Sequence, residues 1–333
     1  MFQFHVIPGE TVHQLLQQNR AQVLDVVRAA YAGHCAGRSV NPGSCFLRFP
    51  DKPDARVIAL PAFLGGDVPA VGIKWVSSFP ANVRAGMPRA SAVLILNDYE
   101  TGHPIACLEA AGISAARTAG LAALAASALR PGGCQGTRTA IIGAGVIARN
   151  ICLYLHEAGC APDSYLVHDV HEESGQALAA YLRSEMGHSS AFTADLGAAL
   201  GADTVVFATT ALTPYVNQPF NPGQVILHIS LRDLTPEVIV RADNILDDVD
   251  HCLQADTSPH LAEKMTGSRE FVTGTLGEVL SGQVTISGDS PVIFSPFGLG
   301  VLDVALGGFV YGMARQAGSF VEVSNFFAET SRW

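Results

Sequence analysis

Charge is scarce in this chain. Of its 333 residues only 15% are Asp, Glu, Lys or Arg, and acids outnumber bases 30 to 20, for a net charge of -10. Nucleic acids and anionic membranes are recognised by cationic patches, so this balance excludes both as general partners. An anionic ligand must instead be held by a few placed cations. Cysteine is also sparse: seven residues, at 35, 45, 107, 134, 152, 160 and 252, with no C-x-x-C pair. Such a scattered, odd-numbered set predicts free thiols in a reducing cytosol. The histidines form no H-x-x-x-H, H-E-x-x-H or Cys/His cluster, so no metal is expected. No G-x-S-x-G elbow supports Ser-His-Asp catalysis. The start, Met1-Phe2-Gln3-Phe4-His5, lacks the basic region and apolar core of a signal peptide. The longest apolar region, residues 104–129, is interrupted by Glu109 and Arg117, and its alanines predict a buried helix, not a membrane span. Together these absences predict a cytoplasmic chain.

Hydrophobic residues are abundant, at 48%, and the length suits two domains of about 100–200 residues each. Residues 11–36 carry apolar side chains near helical spacing and predict one amphipathic helix. Short β-rich segments follow at 44–49, 56–60, 71–77 and 91–97, then a turn at 97–102 and a strand at 104–108, which together predict an antiparallel meander. An Ala-rich helix at 114–129 stops at Pro131-Gly132-Gly133, the best linker candidate by composition. Beyond it the pattern alternates: strand 138–142, helix 146–158, strand 165–168, helix 172–186, then strands at 204–208, 225–229 and 244–246. Alternation of this kind predicts a Rossmann-type doubly wound parallel sheet. The tail, residues 298–316, reads as a helix returning to the first domain.

The strand ending at Ile142 runs straight into Gly143-Ala144-Gly145-Val146-Ile147-Ala148. In a G-x-G-x-x-A turn the first glycine permits the tight bend, and the second lets backbone approach a pyrophosphate. The alanine lets the following helix pack near the strand. The helix N-terminus then offers free N–H groups to the phosphates. Asp169 ends the next strand, 24 positions after Gly145, and a carboxylate there accepts hydrogen bonds from both ribose hydroxyls and repels a 2′-phosphate. Val170, His171, Glu172 and Glu173 follow without an arginine, so NAD(H) is favoured over NADP(H). Gly143, Ala144, Gly145, Val146, Ile147 and Asp169 are therefore the expected cofactor residues. Thr209 and Thr210 end another strand at the sheet's carboxyl edge, where they serve either as cofactor contacts or as hydroxyl caps. Ser230 opens the equivalent turn after residues 225–229 and is counted with the cofactor side.

Three cations stand in apolar surroundings: Arg48, Lys74 and Arg117. A buried cation needs a partner. That partner is either a protein carboxylate such as Glu109 or a substrate carboxylate, for which arginine's fork is the geometric match. The substrate is favoured for Arg117 and Lys74, and the two readings are balanced for Arg48. Asp233, in Ser230-Leu231-Arg232-Asp233, is placed to act as an acid or base, with Lys74 as the other candidate. Arg232 is a further candidate for a substrate carboxylate.

These stretches together resemble the ornithine cyclodeaminase/mu-crystallin family over nearly the whole chain. The carrying motifs are Gly72-Ile73-Lys74-Trp75-Val76, the stretch from Glu109-Ala110-Ala111-Gly112 to Ala116-Arg117-Thr118-Ala119, the glycine turn with Asp169, and Phe297-Gly298-Leu299-Gly300-Val301-Leu302-Asp303. The resemblance implies a substrate-binding and dimerisation domain of α+β type (residues 1–117 and 298–333) joined to an NAD-binding Rossmann domain (118–297), in a homodimer. It implies that Arg48, Lys74 and Arg117 hold an amino-acid carboxylate, and that Thr118 and Gly298 touch the cofactor. Two stretches, Asn41-Pro42 through Phe49-Pro50 and Trp75-Val76-Ser77-Ser78-Phe79-Pro80 running on to Thr101-Gly102, resemble a narrower branch. Its members are N-(2-amino-2-carboxyethyl)-L-glutamate dehydrogenases of 2,3-diaminopropionate biosynthesis, which serve siderophore and peptide-antibiotic pathways. That resemblance implies NAD-dependent oxidation of a secondary amine and hydrolysis of the imine to 2-oxoglutarate and L-2,3-diaminopropionate. The chain departs from ornithine cyclodeaminases near Ile58, where a carboxylate is replaced, and at residues 230–233, where a glycine-rich loop is shortened. Alternatives within the family are ornithine cyclodeaminase, a ketimine reductase, an alanine dehydrogenase, or a non-catalytic NAD(H)-binding protein of the mu-crystallin kind.

Overall fold

A computed structural model describes residues 3–66, 69–130 and 132–328. Contacts divide the chain into two compact units, Met1–Arg117 with Leu299–Trp333, and Thr118–Gly298.

The first unit begins with β1 (His5–Ile7), α1 (Gly9–Gln18) and α2 (Arg20–Cys35). The single helix expected over 11–36 is thus two. Asn19 leaves helical geometry at φ -130° and ψ 36°, and its side-chain amide donates to the Leu15 carbonyl, the local competition for backbone partners that makes Asn a poor mid-helix residue. Then come β2 (Ser39–Val40), β3 (Cys45–Phe49), β4 (Lys52–Leu64), β5 (Ala70–Ser78), a short 3-10 turn (Pro80–Ala85), β6 (Ala90–Asn97) and β7 (Pro104–Glu109). Strands β4 to β7 form the antiparallel meander expected from the alternating pattern, with β1 added parallel to β7. Helix α3 (Ala111–Leu129) follows, and the division between the units falls inside it, at Arg117/Thr118. The Pro-Gly break is therefore not the boundary. Pro131 lies outside the described residues, and α3 ends at Leu129 just before it. By length and composition α3 is apolar enough to cross a membrane, yet Leu121 to Ala126 are all buried in protein.

The second unit contains β8 (Arg138–Ile142), α4 (Val146–Glu157), β9 (Ser164–His168), α5 (Glu172–Ser184), β10 (Ser189–Phe192), α6 (Leu196–Leu200), β11 (Thr204–Phe207), β12 (Val225–His228), α7 (Pro236–Ile239), β13 (Asp243–Leu246), α8 (Val249–Cys252), α9 (Ser258–Thr266), β14 (Val272–Thr275), α10 (Leu276–Leu280) and β15 (Val292–Ser295). All eight strands are parallel, in the order β10-β9-β8-β11-β12-β15-β13-β14. Strands β11, β12 and β15 are buried along their whole length, which is why they are apolar runs with no alternation. The strand order reverses between β8 and β11, the switch point at whose carboxyl edge ligands of such sheets bind. Cys134 and Cys160 are joined as a disulfide with Cα atoms 5.0 Å apart. This corrects the expectation of free thiols for that pair: folding sets the segment after α3 against the end of α4, a proximity their 26-residue separation does not reveal.

Chain order then returns to the first unit with α11 (Gly300–Ala317) and β16 (Val321–Glu322). Helix α11 packs on α2 and on β4, β5 and β6. At Gly307 an added Cβ would lie 2.0 Å from the Leu94 side chain, so the missing side chain lets the helix sit close on the sheet. Asp303, one turn earlier on α11, shares that side of the helix. Substituting Gly307→Val should overpack this contact and lower stability by about 1–3 kcal/mol. Gly312→Ala, where an added Cβ meets nothing within 4 Å, should be neutral or gain about 0.5–1 kcal/mol. Thermal unfolding midpoints of the two variants check the contrast.

Candidate functional site

Two clusters stand out, one in each unit. In the first, strand alternation turns Lys74 of β5 and Leu94 of β6, which are register partners, toward α11. There the Lys74 Nζ lies 2.6 Å from Asp303 Oδ2 and donates to the Ser114 hydroxyl at 3.2 Å. Arg117, from α3, donates its Nε–H to Asp303 Oδ1 at 3.1 Å. Lys74 is 2% exposed, Arg117 9% and Asp303 0%. Burial pushes the Lys74 ammonium down to about 8, against the upward pull of Asp303 and with a further downward push from Arg117. An amine at that value is close to half-neutral near pH 8 and can accept a proton.

The protein partner of these cations is thus Asp303 and not Glu109. The Glu109 carboxylate receives the Ala111 and Gly112 N–H groups at 2.7 and 3.4 Å instead, capping α3. Asp303 was not singled out from sequence, although an acid in the first turn of an otherwise apolar helix was the available signal. Its position is set by the start of α11, where the Asn41 carboxamide oxygen accepts the Val301 N–H at 3.2 Å. The Nε of Arg117 is the only atom of that side chain with a hydrogen bond among the described residues, so its outer nitrogens are available for a second anion. Arg48 departs from expectation. It is exposed on β3, with its guanidinium 5.4 Å from the Phe46 ring centroid, because β3 lies off the main path of the sheet and pairs only with β4. The run Cys45-Phe46-Leu47-Arg48-Phe49 reads as core but forms an edge. Ile58, on β4, pairs with Val76.

In the second unit, Gly143 sits at φ +94°, and an added Cβ would lie 2.6 Å from the Ala208 carbonyl oxygen. Only glycine fits this crossing from β8 past β11. At Gly145 an added Cβ would meet nothing within 4 Å, so the α4 N-terminus is open above it, with no side-chain cap. Its first-turn N–H groups are therefore free to face phosphate oxygens. Ala148 is fully buried, Val146 exposed and Ile147 half-buried. Asp169 accepts the Ala144 N–H at 2.7 Å and the His171 N–H at 2.8 Å, which ties the carboxylate to the glycine turn and orients it. Val170, beside it, is 88% exposed. An open helix terminus, a turn that excludes side chains, an oriented carboxylate and bare apolar residues fit a dinucleotide.

The remaining candidates spread along the carboxyl edge of the same sheet. Thr209 donates to Asp233 Oδ1 at 2.5 Å, while Thr210 is exposed. Asp233 is fully buried, and it also receives the Ser230 hydroxyl and, at 3.2 Å, that of Tyr215. Its Oδ2 lies 3.3 Å from His228 Nε2. Burial opposes its ionisation, but the contacts with His228, Ser230 and Thr209 outweigh that and hold the carboxyl below its usual range. A carboxylate so enclosed and so fully engaged is a poor proton acceptor. Through these contacts Asp233 ties the β11 and β12 turns together. Arg232 donates to the Ala255 carbonyl at 2.7 Å, a structural contact. Gly298, at φ +97°, turns the chain after β15, and the N–H groups of Phe297 and Gly298 both donate to Asp247 at 2.9 and 2.8 Å. Asp247, which sequence reading missed, is buried and has its carboxyl pushed up by desolvation. Thr118 is the α3 residue following Arg117.

Comparison with known proteins gives these clusters a family context. The model of the ornithine cyclodeaminase/mu-crystallin family matches residues 9–318. An N-((2S)-2-amino-2-carboxyethyl)-L-glutamate dehydrogenase of Staphylococcus aureus is 30% identical over 90% of this chain and 92% of its own. Among solved structures, an archaeal alanine dehydrogenase dimer with bound NAD superposes with a TM-score of 0.84 at 26% identity, over 98% of this chain and 100% of that one. The Δ1-pyrroline-2-carboxylate reductase of Thermococcus litoralis, 22% identical, shares the fold with a TM-score of 0.88 over 96% and 100% of the two chains. With its parallel switch-point sheet, its glycine turn and the buried Lys74–Asp303–Arg117 cluster, the chain belongs to the ornithine cyclodeaminase/mu-crystallin family.

Proposed function

We propose that this chain is an NAD-dependent oxidoreductase that oxidises the C–N bond of an amino-acid conjugate, N-(2-amino-2-carboxyethyl)-L-glutamate, to an imine whose hydrolysis releases 2-oxoglutarate and L-2,3-diaminopropionate. The observation that carries the reading is the buried cluster of two cations on one carboxylate, with Lys74 brought to about 8. It couples a carboxylate-binding guanidinium to an amine able to take a proton near neutral pH. The 30% identity to an enzyme of that name supports the choice of substrate.

The chain binds NAD(H) through the turn at Gly143, Ala144 and Gly145, with the N–H groups of Val146 and Ile147 toward the pyrophosphate and Asp169 toward the ribose hydroxyls. Thr118, Thr209, Thr210, Ser230 and Gly298 complete the proposed contacts. Bound NAD⁺ supplies the two-electron acceptor of the reaction. On the substrate side, the outer nitrogens of Arg117 grip a carboxylate in a charge-assisted fork, and Arg48, exposed on its edge strand, serves a further carboxylate of a tricarboxylic substrate; Arg232 would do so only in addition to its bond to the Ala255 carbonyl. Neutral Lys74 takes the proton from the substrate's secondary ammonium, because only the free amine has the lone pair that forms the C=N bond. Water adds to the resulting iminium with loss of a proton to solvent, and Lys74 returns its own proton to the nitrogen as the C–N bond of the carbinolamine breaks, releasing the amine and the 2-oxo acid. Asp233 acts indirectly, by holding Thr209 and Ser230.

We propose further that the protein is a homodimer built on the outer face of the first unit's sheet. Strand register puts Leu47, Ala59, Trp75 and Val93 on one side, away from α11. Trp75 remains 45% exposed, Leu47 48% and Val93 38%. A contiguous apolar face of this kind is characteristic of an interface.

Mass spectrometry of products after mixing the protein, NAD⁺ and the glutamate conjugate should show 2-oxoglutarate and 2,3-diaminopropionate. Proline and ammonia formed from ornithine in their place would mark a cyclodeaminase. The kcat/KM of the oxidation should rise with pH through about 8, as Lys74 loses its proton in the free enzyme, and Lys74→Met should abolish that limb. Arg117→Ala should raise the substrate KM by about 10- to 100-fold, the equivalent of about 1.5–3 kcal/mol for a charged hydrogen bond, while NADH titration by fluorescence stays unchanged. Asp169→Ser should lower kcat/KM for NAD⁺ and leave or raise that for NADP⁺, measured side by side. The pair Leu47→Glu with Val93→Glu should yield monomers by sedimentation velocity.

A further inference from the structure

Asp303 occupies a place that neither the carboxylate-binding nor the proton-accepting role explains. Both of its oxygens are used, Oδ2 by Lys74 and Oδ1 by Arg117, and the three side chains come from three different elements, α11, β5 and α3. A carboxylate that bridges two groups in this way fixes the distance between them. While Lys74 is protonated, charge within the cluster does not cancel, because two cations meet one anion; once Lys74 is neutral, Asp303 and Arg117 balance. A purely structural buried set would be expected to balance, since a surplus charge away from water is costly.

We infer that Asp303 is a positioning residue for the reaction, holding the Lys74 amine and the Arg117 guanidinium in fixed register. This rests on the reading above, in which Lys74 accepts the proton and Arg117 binds the carboxylate. Helix α11 is built to deliver the residue: Gly307 seats it close on β6, and Asn41 caps its first turn from the loop after β2. The groups facing Lys74 are few. Asp303 comes from α11, and Arg117 and the Ser114 hydroxyl from α3, while its strand partners Leu60 on β4 and Leu94 on β6 bring no charge. Asp303 is therefore the anion that keeps burial and Arg117 from driving the amine still lower. It sets the pH at which Lys74 changes state as well as the amine's position.

The test is the pH dependence of kcat/KM in Asp303 variants of the full chain, with NADH fluorescence titration to verify a folded cofactor unit. In Asp303→Asn the acid limb should move down by about one pH unit or more, the shift expected on removing an adjacent opposite charge. Its kcat at pH 9 should fall at least about tenfold through lost register. In Asp303→Glu, which keeps the charge on a longer arm, the limb should stay near its original pH while kcat falls. A limb unmoved in Asp303→Asn with kcat within twofold overturns the inference. Should Asp303→Asn yield no folded protein, Asp303→Glu decides alone: kcat within twofold of the parent refutes a positioning role. Lys74→Met separates the two layers. If it loses the limb while Asp303→Asn leaves the limb in place, only the role of Asp303 fails. If the limb survives in Lys74→Met, the assignment of Lys74 itself fails.

Discussion

The first unit is organised around one buried carboxylate shared by two buried cations. Lys74 and Arg117 are long, costly side chains to remove from water, and each alone would destabilise the core it enters. Asp303 makes their burial tolerable, and it does so from a helix that reaches the sheet closely only because Gly307 has no side chain to obstruct it. The helix start is in turn capped by Asn41 from a distant loop. Seating of the helix, capping and the ion cluster thus depend on one another, and the fixed placement of the amine and the guanidinium is what the proposed chemistry uses.

The second unit solves a different problem. Eight parallel strands leave a row of turns along one edge, and the same device recurs there: a carboxylate near a strand end organises the backbone and hydroxyls around it. Asp169 holds the glycine turn through Ala144. Asp233 gathers Thr209, Tyr215 and Ser230, and Asp247 holds the turn at Phe297 and Gly298. Acids at strand ends thus shape the loops, so that the edge is ordered before any ligand arrives. A pre-ordered edge reduces the entropy lost on binding.

The same view explains which sequence expectations needed amending. Asp233 stands at the sheet edge, as its position after the strand at 225–229 predicts, but its burial under four partners is a matter of packing. Arg48 reads as buried because its neighbours are apolar, yet β3 is an edge strand and the side chain is free. Strands β10, β14 and β15 are four-residue segments with too little pattern to stand out. Strand β15, late in sequence, inserts between β12 and β13, a placement that local periodicity does not encode.

Sequence alone determined the features that depend on local backbone chemistry. The tight turn at Gly143 and Gly145 demands residues without side chains, a half-buried sheet demands alternation, a fully buried one demands unbroken apolar runs, and the acid at Asp169 stands a fixed distance beyond the turn. These follow from sterics and solvation acting over a few neighbouring residues, so they are visible in the string. Tertiary structure alone decided the partners of Lys74 and Arg117 and the joining of Cys134 to Cys160. Partnerships such as that of Lys74 with Asp303, 229 positions apart, arise from how helices and sheets pack, and no spacing rule in the chain specifies them.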